Sequence, residues 1–402
     1  MTTGDHTAIV GNAVAGTPSL LRAINERTVL DCVRRIGPIS RAQLARETAL
    51  SKPTVSQALA GLLRAGLVRE AGRSKGTKGP TAILYQLNPR AGWVVGIDVG
   101  RRWVRAAIAD VTGEFVARRD ERARVRSAET LITQIGQIAH GLASDAGIRW
   151  SQVTAAAVGS PGVVHPGREE VTLAYSLPGW GRQGLVELVR RELGTKTVFE
   201  NDVNLAALGE RTHGLGAAVD TFVFLHLGTG VGLGIVVDGE LYRGAGGAAG
   251  EVGYLPLWGT DVRDPQSRRR GPLDRAASAA GVVQAARRAG MHGSLTAERV
   301  FAAATNGDRA ARRVVAQEVE RVAMTIAAVS AVLDPELVIL GGGVGSSPAL
   351  LEPVRAKVGE LSPFRPSIDV SVLREEATLY GSVSLALRAA HEQLFDRSKA
   401  SA

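Results

Sequence analysis

Two stretches of this chain repeat one pattern: an apolar strand, a glycine turn, a returning strand and a second turn. The first copy runs from Val94-Val95-Gly96-Ile97-Asp98-Val99 into Gly100, returns over Val104–Ala109 and turns again at Asp110–Glu114. The second runs from Thr221 to His226, turns at Leu227-Gly228-Thr229-Gly230, returns over Val231–Val237 and turns at Asp238-Gly239-Glu240. A repeat of a whole supersecondary unit implies internal duplication. Two such α/β lobes facing each other leave a ligand cleft between them.

Helical segments fill the intervals. Val315, Val319, Val322, Ile326, Val329 and Leu333 step by 4, 3, 4, 3 and 4 residues, which is one buried stripe of a long helix. A strand at Leu337–Leu340 follows and ends at Gly341-Gly342-Gly343, where backbone can approach a ligand closely. With 402 residues the chain has room for two or three domains with real cores. The longest apolar run, Val322 to Leu333, is too short to span a bilayer and is cut by Asp334-Pro335. No signal peptide precedes Arg22, and a single cysteine, Cys32, excludes an internal disulfide. A cytoplasmic protein with no membrane partner is expected.

The first ninety residues read differently. Ser40 and Gln43 form a capping box that starts a helix, and Thr48-Ala49-Leu50 is a short turn. Ser51 then caps a second helix that tolerates Pro53 in its first turn and buries Val55, Leu59 and Leu62. This is a helix-turn-helix. Lys52, Thr54, Ser56 and Gln57 lie near the start of the second helix, where base edges are read in the major groove, with Ser40 and Arg41 at the start of the first. A preceding helix is expected from a Thr17 cap and Pro18, with Leu20, Leu21, Ile24, Leu30 and Val33 as its apolar positions. Residues 1–16 show no periodicity and are expected to be disordered.

Strands at Leu67–Glu70 and Ile83–Leu87 flank a basic, glycine-rich loop, which makes a wing. Arg73, Lys75 and Lys78 would meet phosphate or the minor groove there. Charge supports the division. Residues 1–90 hold 13 Lys/Arg and 5 Asp/Glu, a net of +8 against +9 for the whole chain. A basic module joined to a near-neutral one points to a polyanion partner for the first alone.

Taken together, the segments resemble the ROK family (repressors, open reading frames, kinases) over roughly residues 17–395. The resemblance rests on an ordered set: the winged helix, Gly96-Ile97-Asp98-Val99-Gly100, Gly159-Ser160-Pro161-Gly162 and Glu200-Asn201-Asp202-Val203-Asn204. Leu227–Gly232, Gly246–Gly253 with Glu251, and Gly341–Gly343 complete it. It implies an α/β fold class: an N-terminal winged helix-turn-helix at 17–88, and a two-lobed, duplicated ribonuclease-H-like core of the actin/hexokinase type at 92–395, followed by a tail at 396–402. It also implies a sugar between the lobes. In the family's kinases the residues matching Asn201 and Asp202 bind sugar hydroxyls, and the matching aspartate deprotonates the attacking hydroxyl. Gly162, Glu251, Tyr254 and Asp274 join them as expected ligand-binding residues.

Departures from the family pattern separate sensor from enzyme. The phosphate loop written Asp-x-Gly-Gly-Thr in family kinases is here Asp98-Val99-Gly100-Arg101-Arg102-Trp103. Arg101 brings a bulky side chain and Trp103 lacks a hydroxyl, which weakens phosphate binding. Tyr254 replaces a histidine of the family zinc site, and one cysteine cannot supply that site's three thiolates, so no metal and no cofactor are expected. Asp274 stands where a longer glutamate is usual, and Ser176 replaces an asparagine, which leaves the sugar open. The expected function is a sugar-responsive regulator, a repressor without kinase activity. It would bind a palindromic double-stranded DNA operator as a homodimer or tetramer, with a sugar or oligosaccharide effector. The alternative is a bifunctional ATP-dependent sugar kinase that also binds DNA.

Overall fold

The computed structural model describes residues 18–74, 81–256 and 263–400, the last five without their side chains. The chain divides into two units, Met1–Ala91 with His391–Ala402, and Gly92–Ala390. Thr17, the stretch 1–16, Lys75 and Lys78 lie outside the described residues. Among the described residues no helix is long and apolar enough to cross a membrane.

The first unit is a winged helix. Its helices are α1 (Pro18–Ile36), α2 (Arg41–Thr48) and α3 (Lys52–Arg64). Strands β1 (Ile39–Ser40), β2 (Val68–Arg73) and β3 (Ile83–Leu87) form a sheet in the order β1-β3-β2. Both predicted caps are present: Ser40 and Gln43 bond reciprocally, and Ser51 accepts from the Thr54 N–H. Ala49 takes φ 55 in the turn, a left-handed conformation that costs a residue with a Cβ about 1 kcal/mol. The core gathers Val29, Val33, Leu44, Val55, Leu59, Leu62 and Tyr85. Cys32 packs among them as a free, buried thiol.

Two sequence expectations are corrected here. Leu20, Leu21 and Ile24 are 44%, 54% and 51% exposed, because full burial along α1 begins only at Val29. The second correction is at the other end of the chain. Helix α14 (Ala377–Ala400) places Leu379, Val383, Ala386 and Ala390 in the core of the second unit, stepping by 4, 3 and 4. Beyond that the same helix belongs to the first unit, where Phe395 is 3% exposed within its core and the Arg27 guanidinium lies 5.8 Å from its ring centre. The core domain therefore ends near 390 rather than 395, since an aromatic side chain is buried in the winged helix beyond that point.

The second unit holds two five-stranded sheets. The first contains β4 (Trp93–Val99), β5 (Trp103–Asp110), β6 (Phe115–Arg122), β7 (Val153–Ser160) and β10 (Lys196–Asn201), in the order β10-β7-β4-β5-β6. The second contains β11 (Phe222–Leu227), β12 (Val231–Val237), β13 (Glu240–Leu241), β14 (Leu337–Gly341) and β15 (Ser367–Val370), in the order β13-β12-β11-β14-β15. Counted within each lobe, both read third-second-first-fourth-fifth. The first three strands run antiparallel and the last two join in parallel. The duplication seen in the sequence is thus a duplication of topology. Central β4 is apolar on both faces because both are covered, whereas edge strand β6 alternates and carries charges that deter pairing with another chain. A short ribbon, β8 (Val163–His165) with β9 (Glu170–Thr172), lies between β7 and β10 in sequence.

Helices cover both faces of each sheet. Helices α4 (Ala128–Asp145) and α5 (Leu185–Leu193) pack on one face of the first sheet, and α14 packs on the other. In the second lobe Val223 and Leu225 face α8 (Pro272–Ala277), α9 (Ala279–Arg288), α10 (Ala297–Thr305), α11 (Arg309–Leu333) and α13 (Leu351–Leu361). Alternate residues Phe222 and Phe224 face α6 (Asp202–His213). α11 buries the predicted stripe, with Val319, Val322, Ile326 and Val329 inside. Two short helices, α7 (Pro265–Arg270) and α12 (Gly342–Gly345), cap the cleft side of this lobe and the end of β14. Helices α6 and α14 touch through glycine. A Cβ on Gly381 would overlap the Leu205 carbonyl, and the Thr378 hydroxyl donates to the Asp202 carbonyl at 3.2 Å.

Candidate functional site

The residues expected from the sequence to contact DNA separate into those whose side chains reach outward and those spent within the fold. Lys52, Gln57 and Arg73 are exposed, and Thr54 and Ser56 are half-buried. Ser51 Oγ lies 2.8 Å from Thr54 Oγ1, so the Thr54 hydroxyl belongs to the cap. Ser40 is corrected from a DNA contact to a structural cap: it is buried, and its hydroxyl and N–H both engage Gln43. Arg41 is exposed, but its guanidinium donates to the Tyr85 hydroxyl at 2.7 Å and covers the Tyr85 ring.

The second site is a cleft in the core unit of about 970 Å³, counting its open mouth. All six sequence-predicted ligand residues line it: Gly162, Asn201, Asp202, Glu251, Tyr254 and Asp274. β10 ends at Asn201, and α6 begins at Asp202. Asn201 caps that helix, its Oδ1 accepting from the Val203 and Asn204 N–H groups at 2.9 and 3.0 Å. Its Nδ2 donates to the Gly162 carbonyl at 3.0 Å and retains one free hydrogen for a ligand. Behind it, buried Glu200 accepts from the Asn201 N–H and the Asn204 amide, and its other oxygen pairs with Arg243. On the facing lobe Gly250, at φ +88, tucks its carbonyl against the Leu233 N–H at 2.9 Å, and any Cβ would strike the Leu233 carbonyl. That packing presents Glu251 to the cleft. Asp274 Oδ1 accepts from the Val231 N–H at 2.9 Å and Oδ2 pairs with Arg270 at 3.2 Å, so Asp274 largely builds the site.

Electrostatics sharpen the picture. Burial, then the neighbouring Asp98 and Glu251 charges, push Asp202 up to about 7 against the opposing Val203 N–H and its own backbone N–H. Burial pushes Asp98 up to about 6, with Arg105 holding it down from 3.3 Å. Glu251 is raised by burial and then by Asp274, while burial raises Asp274 against the Val231 N–H and Arg270. Four carboxylates in and beside one cleft suit a neutral polyol, whose hydroxyls donate, and repel an anion.

Sequence reasoning overlooked several participants. Leu173, Tyr175, His226 and Arg270 also line the cleft. His226 is the one polar residue of an apolar strand, next to its last residue and just before a glycine turn, a signal legible in the sequence. Burial lowers it to about 4, so the imidazole is neutral. The Arg105 guanidinium, which also reaches Asp120 and Glu375, was not foreseen beside Asp98. Tyr254 donates to the Arg269 carbonyl at 3.0 Å. Together with Asp264, which caps α7 and pairs with Arg275, it orders the 263–270 stretch without zinc ligands.

Comparisons with known proteins agree with this architecture. Residues 94–389 match the ROK family model, and residues 23–77 match that of the MarR family. The chain is 26% identical over 391 residues to a xylose repressor of Caldicellulosiruptor bescii, covering 92% of this chain and 97% of the relative. It is 30% identical over 278 residues to a glucokinase of Halalkalibacterium halodurans, covering 65% and 84%. In fold it resembles a ROK-family transcriptional regulator described as a homologue of the E. coli MLC protein. That match has a TM-score of 0.79 at 22% identity and covers 95% of this chain and all of the other. A family model spanning most of the core, joined to a winged helix, makes this chain a member of the ROK family.

Proposed function

We propose that the protein is a transcriptional repressor that binds a palindromic operator through its winged helix and releases or tightens its hold when a sugar or oligosaccharide enters the cleft. One observation carries this reading: Asn201, Asp202, Glu251 and Asp274 converge on one cleft in a chain that also carries Lys52, Gln57 and Arg73 on a winged helix. Similarity to a xylose repressor makes xylose the first effector to try. A dimer supplies the two half-site contacts that a palindrome requires. The effector shifts operator affinity by its differential affinity for the two states, typically about 1–3 kcal/mol.

Operator binding by fluorescence anisotropy, titrated with xylose, glucose and their phosphates on a DNA site selected in vitro, tests it. One neutral sugar should shift affinity several-fold, and Asn201→Ala should abolish the shift. Specific DNA binding unmoved by every sugar would discard the cleft as the switch. In the same assay Gln57→Ala should cost about 1–3 kcal/mol at particular base positions, whereas Arg73→Ala should weaken all DNA alike and reduce the salt slope by about one. Identical behaviour of the two variants would remove the distinction between recognition helix and wing.

Sugar affinity should also rise with pH. Asp202 accepts hydroxyl hydrogens best as a carboxylate, and its pKa of about 7 leaves it mostly protonated at pH 6. The sign for stability is opposite. A carboxyl raised on folding favours the native state below its ordinary pKa, and that contribution fades as pH climbs through the raised value. Sugar-induced thermal stabilisation should therefore grow several-fold between pH 6 and 8, and Asp202→Asn should flatten the profile.

The kinase alternative draws on the same Asp202, poised near neutrality as a base, and on the similarity to a glucokinase. Against it stands Arg105, which already neutralises Asp98 and competes with any magnesium–nucleotide for that carboxylate. Sugar-dependent ATP turnover lost in Asp202→Asn would decide for the kinase.

A further inference from the structure

The cleft is acidic inside and apolar at its mouth, and the two halves call for different parts of a ligand. Leu173 and Tyr175 are 40% and 48% exposed, and both line the cleft. Large apolar side chains left open beside a polar pocket mark a contact surface. Leu173 holds them there in a conformation it does not favour, at φ 55. Across the mouth the Arg269 guanidinium lies 5.3 Å from the Tyr175 ring centre. The Arg269 carbonyl in turn takes the Tyr254 hydroxyl, so a residue of the arginine's own lobe fixes its backbone. A sugar ring has hydroxyls around its edge and C–H groups on its faces. Asn201, Asp202 and Glu251 deal with edges. A tyrosine ring with a guanidinium fork over one of its faces offers its other face to a sugar face and the fork's N–H groups to the hydroxyls next to it.

We propose that Tyr175, with Leu173 and Arg269, forms a second sugar subsite, and that the effector is a neutral glycoside of at least two rings. This rests on the sugar-cleft reading above. The inner ring sits among Asn201, Asp202 and Glu251, and the outer ring stacks on the Tyr175 face that Arg269 does not cover, with the Arg269 fork donating to its hydroxyls. Phosphosugars are disfavoured by the surrounding carboxylates.

Calorimetric titration of the full chain with xylose, xylobiose, glucose, cellobiose and maltose tests the subsite. One disaccharide should bind at least tenfold tighter than its monosaccharide. Tyr175→Ala should lower disaccharide affinity at least tenfold and monosaccharide affinity by less than threefold, while Tyr175→Phe retains the preference. Asp202→Asn should weaken both ligands together. Equal affinity for one and two rings, or equal losses in Tyr175→Ala, would overturn the subsite and leave the sugar cleft standing. Failure of every sugar to bind would overturn the cleft reading and the subsite with it. Unchanged thermal unfolding of the Tyr175 variants, whose side chain is half exposed, serves as the folding control.

Discussion

Valine at position 381 should destabilise the core unit by about 3 kcal/mol or more, at the upper end of what overpacking costs. Gly381 lies on α14, where even a methyl group would overlap the Leu205 carbonyl of α6 and come within 3.0 Å of the Gly209 N–H. Gly209 returns the contact, since its own Cβ would overlap the Ala377 carbonyl. The obstacles on both sides are helical backbone, which cannot swing away as a side chain can. The helices must move apart, and Ala206, Ala207 and Ala377 would lose their packing beside Phe222 and Phe224. α6 starts at Asp202, so the same displacement should weaken sugar binding. Urea unfolding of Gly381→Val and Gly381→Ala should show graded losses in midpoint. An unchanged midpoint for valine would mean that the two helices are further apart than described.

Phe395→Ala should cost the winged helix about 3–5 kcal/mol, the usual range for a buried aromatic truncated to alanine. Its ring is 3% exposed among residues drawn mainly from the first 90, and the unit is small enough that such a loss approaches its total stability. Hydrogen exchange should report the effect as faster exchange in α1 and α3 with little change in β4 or β11. Operator affinity should fall in parallel although position 395 is far in sequence from Gln57 and Arg73. Uniform loss of protection across both units would show instead that they unfold as one.

Chemistry that acts over a few residues was legible beforehand. The Ser40 and Ser51 caps, the buried Val55-Leu59-Leu62 face and the stripe of α11 depend on neighbours within a turn or two, and all are present. The paired strands of each lobe could be seen for the same reason. What escaped depends on contacts between distant positions. Arg41 looked available for phosphate because nothing nearby in sequence claims it, but Tyr85 does. Two-residue β1 is too short for a periodic signal and exists because Ile39 and Ser40 pair with Tyr85 and Leu84. In the cleft, motif residues such as Asn201 and Glu251 could be recognised singly. The pairing of Tyr175 with Arg269 could not, because the two lie 94 residues apart and meet only across the cleft.

The passage of α14 out of the core and into the winged helix has a consequence for synthesis. A ribosome releases residues 18–91 long before it reaches Phe395. Domains usually fold as they emerge, the N-terminal one first. Here the N-terminal module waits with an unfilled place in its core until some 300 further residues have been made. The part that grips DNA is translated before the core and completed after it, so a nascent chain stalled within the sugar-binding core would carry a winged helix that lacks its full stability.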